Sequence, residues 1–326
     1  MDKIAKVQEQ LKQYKIEGWL LYDFHRCNPL ALYFLEIPDE ILMTRRCFYW
    51  IPQKGSPVKI LHKIEAHNLD HFPGEIKSYS TFSQMKEELQ SLLKGVNEVA
   101  MEYSPNHAIP SISKVDGGLI DLIRSFGPKV VSSASFLQVF TCLWDARHYQ
   151  LHKEAAEVLE NAVSLAWNFI RDSLKKGQVI TEYDVQRLIL KEFEKEGCVT
   201  EGEPICAVNE HSADPHYIPK KEGSSPINKG DFILIDLWCK KKCQAAVFAD
   251  ITRVGVAASS PTAKQQEVFD LVRKAQKAGT DLIIARYKEG KEVKGAEVDA
   301  EVRRIIDKGG YGEYFTPVSY THLRAH

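Results

Sequence analysis

The sequence contains two apolar runs that are each interrupted by one aspartate: Phe232-Ile233-Leu234-Ile235-Asp236-Leu237-Trp238 and Ala245-Ala246-Val247-Phe248-Ala249-Asp250-Ile251-Thr252. Each run is typical of a buried β-strand, and the polar residues 239–244 between them suit the tip of a hairpin. An ionised carboxylate in a buried strand is costly to desolvate unless a cation holds it. The two runs therefore predict a hairpin in which Asp236 and Asp250 are the functional side chains.

The register of the hairpin decides whether these carboxylates act together. If the strand pairing is symmetric about Cys243, Asp236 and Asp250 lie directly opposite each other, with Cβ atoms roughly 4.5–5.5 Å apart. Both side chains then reach one site with two divalent metal ions about 3.5–4 Å apart. In the alternative interpretation, one aspartate lies at a turn or strand edge and the other pairs with Arg253.

Composition limits the class of protein. A chain of 326 residues favours two domains, and a content of 44% hydrophobic and 27% charged residues is ordinary for a globular protein. The formal net charge of −1 gives no electrostatic support for binding nucleic acid or a membrane surface. The first residues lack the apolar core of a signal peptide, and no apolar run approaches the ~18 residues of a membrane span. Seven scattered cysteines favour reduced thiols, so we expect a cytoplasmic location.

The pattern of predicted elements changes near residue 147. Residues 1–146 mix short strands and helices, which predicts a small α/β domain. From residue 147, long helical patterns surround the two acid-bearing strands, and the helix that starts at Thr181 has Asp184 in the position that completes a capping box. Helices against an antiparallel sheet predict an α+β catalytic domain over residues 147–316.

A histidine precedes the acid pair. The segment Asp214-Pro215-His216-Tyr217-Ile218-Pro219 places His216 between prolines, which keep the backbone extended. An imidazole presented in this way near a metal site is able to donate a hydrogen bond to a substrate carbonyl. His211, five residues earlier, is interpreted as an ordinary surface residue.

These motifs together resemble the pita-bread metallopeptidases, a family that includes prolidase, aminopeptidase P and methionine aminopeptidase. The resemblance covers roughly residues 147–316, and the motifs that carry it are 209–219, 230–236, 250–253 and 295–303. Residues 1–146 are similar in size and pattern to the creatinase-like domain found in the prolidase and aminopeptidase P branch. The expected fold class is therefore α+β, an incomplete pita-bread domain preceded by a smaller α/β creatinase-like domain.

The resemblance implies an activity and a set of roles. It implies a metal-dependent peptidase that hydrolyses an N-terminal peptide bond with a hydroxide bridging two divalent ions (Mn, Co or Zn). Asp236 and Asp250 match the two aspartate ligands, and His216 matches the histidine on the substrate side. The implied substrates are short peptides with X-proline bonds, and the implied assembly is a homodimer.

The end of the chain departs from the family pattern. Residues 309–316 resemble the lead into the family's ligand histidine, but the residues after them, 317–326, look like a non-native tail. His322 and His326 are interpreted as false ligands, and the family's histidine and two glutamate ligands have no counterpart in the sequence. We therefore predict that this chain binds metal poorly and hydrolyses nothing.

Two other functions stay open at this point. A creatinase-like enzyme cleaves a non-peptide C–N bond without metal, and a non-catalytic pita-bread protein serves as a partner-binding module. Retention of Asp236 and Asp250 argues against the creatinase-like enzyme, because that branch does not need the acids. Non-catalytic pita-bread proteins usually lose the acids, but the missing ligand segment leaves that function open. A structural α/β protein without activity is the remaining alternative.

Overall fold

The computed structural model describes residues 3–243 and 245–315. They divide into two compact units, one ending at Leu143 and the other beginning at Trp144. This division lies close to the domain boundary expected at residues 146 and 147. The segment 317–326, with His322 and His326, lies outside the described residues, so its interpretation as a non-native tail stays a prediction.

The first unit is an α/β domain built on a mixed sheet, and its strands follow the order β4-β3-β2-β1-β5-β6. Its helices and strands are α1 (Lys3–Gln13), β1 (Gly18–Asp23), α2 (Pro29–Phe34), β2 (Cys47–Pro52), β3 (Val58–His62), β4 (Glu75–Tyr79), α3 (Phe82–Leu92), β5 (Glu98–Met101), α4 (Gly117–Ser125), β6 (Lys129–Ser132) and α5 (Ala134–Thr141). Strands β2 and β3 form an antiparallel hairpin.

The central strand of this unit is buried along its whole length, because helices cover both faces of the sheet. Trp19 and Leu21 belong to the core on one face, and Leu20 and Tyr22 belong to the core on the other. This continuous burial is the pattern expected of a central strand in an α/β sheet.

The second unit places long helices against a smaller antiparallel sheet. Its helices and strands are α6 (Ala146–Lys175), α7 (Glu182–Lys195), β7 (Cys198–Val199), β8 (Ile205–Val208), β9 (Phe232–Lys241), β10 (Ala249–Val256), α8 (Ala263–Lys288) and α9 (Gly295–Lys308). The expected box at the start of α7 is confirmed, since Thr181 caps the helix and Asp184 bonds back to the Thr181 backbone.

Strand β9 is the centre of this sheet and pairs with β7, β8 and β10. Every second residue of β9 is buried, and Ile233, Ile235 and Leu237 join one core with residues of α6 and α7. The residues between them, which include Asp236, therefore project from the opposite face. Among residues 3–243 and 245–315, no helix is long and apolar enough to cross a membrane.

Candidate functional site

The hairpin of β9 and β10 has a different register from the expected one. Asp236 lies opposite Thr252, and Asp250 lies opposite Trp238. The pairing is therefore centred on position 244 rather than on Cys243. The prediction that the two aspartates lie directly opposite each other is wrong.

The observed register differs from the expected one because contacts with residues distant in sequence hold the hairpin tip. Strand β9 continues to Lys241, where it pairs with β7, whereas residues 245–248 are not part of a strand. The carbonyl oxygen of Phe248 accepts a hydrogen bond from Nδ1 of His152 on α6, at 2.9 Å. The ammonium of Lys240 lies 4.4 Å from the centre of the Phe248 ring. Phe248, which the expected register assigned to the second strand, is therefore held outside that strand by these contacts.

The two aspartates nevertheless share one face of the sheet. Asp250 lies opposite Trp238, which is two residues from Asp236 on the same strand, so the two acids are diagonal neighbours. Diagonal neighbours on one face of an antiparallel pair lie about 7–8 Å apart. The carboxylates are thus close enough to belong to one site, although farther apart than the directly opposed geometry allows.

The burial expected for the acids is not observed. Asp236 is half-buried and Asp250 is exposed, whereas the core side chains of β9 lie on the face covered by helices. Water therefore still reaches the carboxylates, and burial by itself does not require a bound cation. What supports a metal site is the shared face and the chemistry of the two side chains.

A neighbouring side chain orients Asp236. The hydroxyl of Thr252, directly opposite Asp236, donates to Asp236 Oδ1 at 2.6 Å. Arg253 is the next residue and therefore projects from the other face, where it forms an ion pair with Glu160 on α6. Thr252 holds the Asp236 carboxylate at a hydrogen-bonded position, and the guanidinium of Arg253 is directed toward a helix acid.

His216 lies on an exposed turn between β8 and β9. Its backbone N–H donates to Oδ1 of Asp214 at 2.9 Å, which bends the chain just before the histidine. Within the described ranges 3–243 and 245–315, no group of three or more His, Cys, Asp or Glu side chains is placed to hold a metal ion. The structure therefore brings Asp236 and Asp250 to one face of the sheet, and His216, which is expected on the substrate side rather than as a ligand, lies on the exposed turn.

A buried carboxylate beneath this turn was not identified from the sequence. Glu182, the first residue of α7, has no solvent exposure. It accepts hydrogen bonds from the backbone N–H of Val208 at 2.8 Å, from His211 Nδ1 at 2.9 Å, from the Tyr217 hydroxyl and from the backbone N–H of Ser225 at 2.8 Å. All four partners belong to the chain segment that contains His216.

Two of these partners change the interpretation of the loop. His211 is half-buried and its ring stacks on Tyr217, with 4.3 Å between ring centres, so its interpretation as an ordinary surface residue is wrong. Burial, together with the hydrogen bond to Glu182, raises the pKa of Tyr217 to about 12. The hydroxyl therefore stays protonated and donates to Glu182 throughout the neutral pH range.

Comparison with known proteins shows to which family the chain belongs. The sequence profile of metallopeptidase family M24 matches residues 150–323. The chain is 32% identical over 167 residues to an uncharacterised peptidase of Staphylococcus saprophyticus, and this match covers 50% of the chain and 41% of the relative. It is 27% identical over 235 residues to the Xaa-Pro dipeptidase of Pyrococcus horikoshii, which covers 70% of the chain and 58% of that enzyme. The chain thus spans less than two thirds of these relatives.

Solved structures share the fold. Dipeptidase PepE from Mycobacterium ulcerans superposes with a TM-score of 0.63 at 17% identity, over 97% of this chain and 78% of that chain. X-prolyl aminopeptidase from Caenorhabditis elegans, described as a cytosolic enzyme with a di-nuclear active site, gives 0.61 at 16% identity, over 94% and 48%. Since the family profile matches more than half of the sequence, the chain belongs to metallopeptidase family M24.

Proposed function

We propose that this protein is an exopeptidase of the Xaa-Pro dipeptidase or aminopeptidase type, and that Asp236 and Asp250 are ligands of two divalent metal ions. The observation that carries the proposal is the position of both acids on one sheet face in a chain of family M24. The Xaa-Pro dipeptidase among its relatives and the di-nuclear site of one structural neighbour support the substrate class and the number of ions.

The residues present fit part of such a centre. Carboxylate oxygens are hard ligands that suit manganese, cobalt and zinc, and Asp236 already has one oxygen oriented by Thr252. However, the described part of the chain assembles no group of three such ligands. We therefore propose that residues 1–326 alone bind the ions weakly and do not hydrolyse peptides.

Each residue of the site has a defined role in this proposal. When bound, the ions lower the pKa of water and polarise the scissile carbonyl. Asp236 and Asp250 hold them, and Thr252 fixes the orientation of Asp236. The imidazole of His216 donates a hydrogen bond to the carbonyl oxygen of the peptide as negative charge develops on it. We further propose a cytoplasmic homodimer; the seven cysteines, all free thiols, support the location.

Manganese binding tests the proposal directly. The 326-residue chain is titrated with Mn²⁺, and the free ion is measured by electron paramagnetic resonance. We expect weak, saturable binding that falls about tenfold or more in Asp236→Asn and Asp250→Asn, since each change removes one charged ligand. The control Asp281→Asn removes an exposed acid of α8, which pairs with Lys277, and should bind as the unmodified chain does.

Hydrolysis of Ala-Pro by the same proteins distinguishes a metal-dependent peptidase from a metal-free enzyme. Cleavage that depends on Mn²⁺ and on both acids would establish the peptidase and refute the inactivity of this chain. Cleavage that persists in chelator and in Asp236→Asn would instead indicate a metal-free enzyme. Manganese affinity equal in all four proteins would remove the two aspartates from the site and overturn the proposal.

A further inference from the structure

The carboxylate of Glu182 binds both ends and the middle of one loop. Val208 is the last residue of β8, Ser225 closes the segment, and His211 and Tyr217 lie between them. Their donors converge on a side chain that is completely buried. Since neighbouring backbone and side-chain groups all donate to the same two oxygens, the path of residues 208–225 depends on this one carboxylate.

The base of the loop is closed separately. The backbone N–H of Ile227 donates to the carbonyl of Ile180 at 2.9 Å, next to an isolated bridge between Thr181 and Pro226. At the other end, Asn209 has a left-handed backbone with φ of 49°, and its side chain bonds to Asp231 and to the N–H of Phe232. Both ends of the loop therefore have contacts that do not involve the Glu182 carboxylate, whereas His211 and Tyr217 in its interior bond to that carboxylate.

His216 lies in that interior. It directly precedes Tyr217, whose hydroxyl donates to Glu182 and whose ring stacks on His211. We infer that Glu182 is a positioning residue: it fixes the loop that presents the His216 imidazole, without itself contacting substrate or metal. The effect of Glu182 on catalysis rests on the proposed function of His216. The role of Glu182 in fixing the loop does not depend on that proposal.

The carboxylate group is essential to this role because of its acceptor capacity. Two carboxylate oxygens offer about four acceptor positions, whereas the amide of glutamine has one acceptor oxygen and an NH₂ group that only donates. In Glu182→Gln, the donors that face the NH₂ group are left unsatisfied in a buried place, which is unfavourable. Tyr217→Phe removes one donor and leaves Glu182 in place, so it perturbs the loop less.

Asp184 provides a matched control. It lies on the same first turn of α7 and is also an acid, but it bonds to Thr181 rather than to the loop. Asp184→Asn therefore tests the effect of losing a carboxylate at this helix end without touching residues 208–225.

Hydrogen exchange of the 326-residue chain measures the hold on the loop. We expect exchange within 209–224 to accelerate about tenfold in Glu182→Gln and less in Tyr217→Phe, with α6 and β9 unchanged and Asp184→Asn like the unmodified chain. The inference is overturned if Glu182→Gln and Tyr217→Phe leave the loop as protected as before. Equal acceleration throughout the second unit would also overturn it, because that result describes a general loss of stability. If Glu182→Gln does not fold, Tyr217→Phe decides.

The position of His216 is measured separately by Mn²⁺ alone, with the histidines labelled for NMR and the His216 signal assigned by its loss in His216→Gln. Mn²⁺ should broaden the His216 signal in the unmodified chain and in Asp184→Asn, and broaden it less in Glu182→Gln. Equal broadening in Glu182→Gln contradicts the positioning role. If Mn²⁺ leaves His216 unchanged even in the unmodified chain, the proposed role of His216 fails, while the exchange result still decides whether Glu182 holds the loop.

Discussion

Replacement of Thr252 by valine tests how much the orientation of Asp236 contributes to metal binding. Valine keeps the shape and β-branching of threonine and removes only the hydroxyl that donates to Asp236 Oδ1 at 2.6 Å. A hydrogen bond to a charged group contributes about 1.5–3 kcal/mol. Because the contact is exposed, we take the lower end, about 1.5 kcal/mol, which is slightly more than a factor of ten in affinity.

We therefore expect Thr252→Val to bind Mn²⁺ about tenfold more weakly than the unmodified chain, in the range found when groups that orient metal ligands are removed. The assay is the same titration of free Mn²⁺. Thr252→Ser is the control, since it keeps a hydroxyl at the same position. Unchanged affinity in Thr252→Val, or an equal loss in Thr252→Ser, would refute the reasoning, because the hydroxyl would then not be the group that matters.

Three further predictions follow from the described contacts. A cysteine pair at the positions of Asp236 and Thr252 should form a disulfide under mild oxidation, whereas a pair at Asp236 and Asp250 should not, because only directly opposed residues have the required separation; peptide mapping after digestion distinguishes them. Glu102 is completely buried, and burial raises the pKa of its carboxyl, so its contribution to stability is complete below its unfolded pKa and is lost as pH rises through the folded pKa. The free energy of unfolding in urea should therefore fall in the unmodified chain as pH rises from below the unfolded pKa, and should follow a flatter profile in Glu102→Gln. Replacing Thr181 by alanine removes the cap of α7 and should cost about 1 kcal/mol in the free energy of unfolding, measured by the same method.

Local sequence signals were sufficient to predict most of the helices of the second unit. The cap at Thr181 and the box that Asp184 completes involve residues only three positions apart, so neighbouring sequence determines them. The apolar runs around Asp236 and Asp250 likewise identified two paired strands. In each case the deciding interactions lie within one element or between neighbouring elements.

The register of the hairpin depends on partners that are distant in sequence. Residues Cys198 and Val199 pair with the end of β9, and His152 holds the carbonyl of Phe248 from a helix about a hundred positions earlier. A polar tip such as 239–244 suits more than one turn, so the symmetric arrangement was a reasonable prediction without these contacts. The register of a strand pair is fixed by its surroundings as well as by its own residues.

The role of Glu182 could not be predicted from the sequence for the same reason, because its partners are distant along the chain. An acid in the first turn of a helix is common, because it interacts favourably with the helix dipole, so its presence after Thr181 gives no signal of another role. Its four donors lie 26 to 43 positions away, in a loop whose only conspicuous residue was His216. The pairing of one buried acceptor with several dispersed donors becomes visible only when the chain is folded.

The alternation along β9 explains how an acid is tolerated at the centre of this sheet. Ile235 and Leu237 are completely buried against the helices, while Asp236 between them is half-buried on the other face. A strand that places successive side chains on opposite faces therefore supports the core and presents a carboxylate without desolvating it fully. It follows that a one-residue slip of β9 would bury Asp236 under α6 and expose the isoleucines. The same alternation that stabilises the unit thus keeps the proposed ligands on the accessible face.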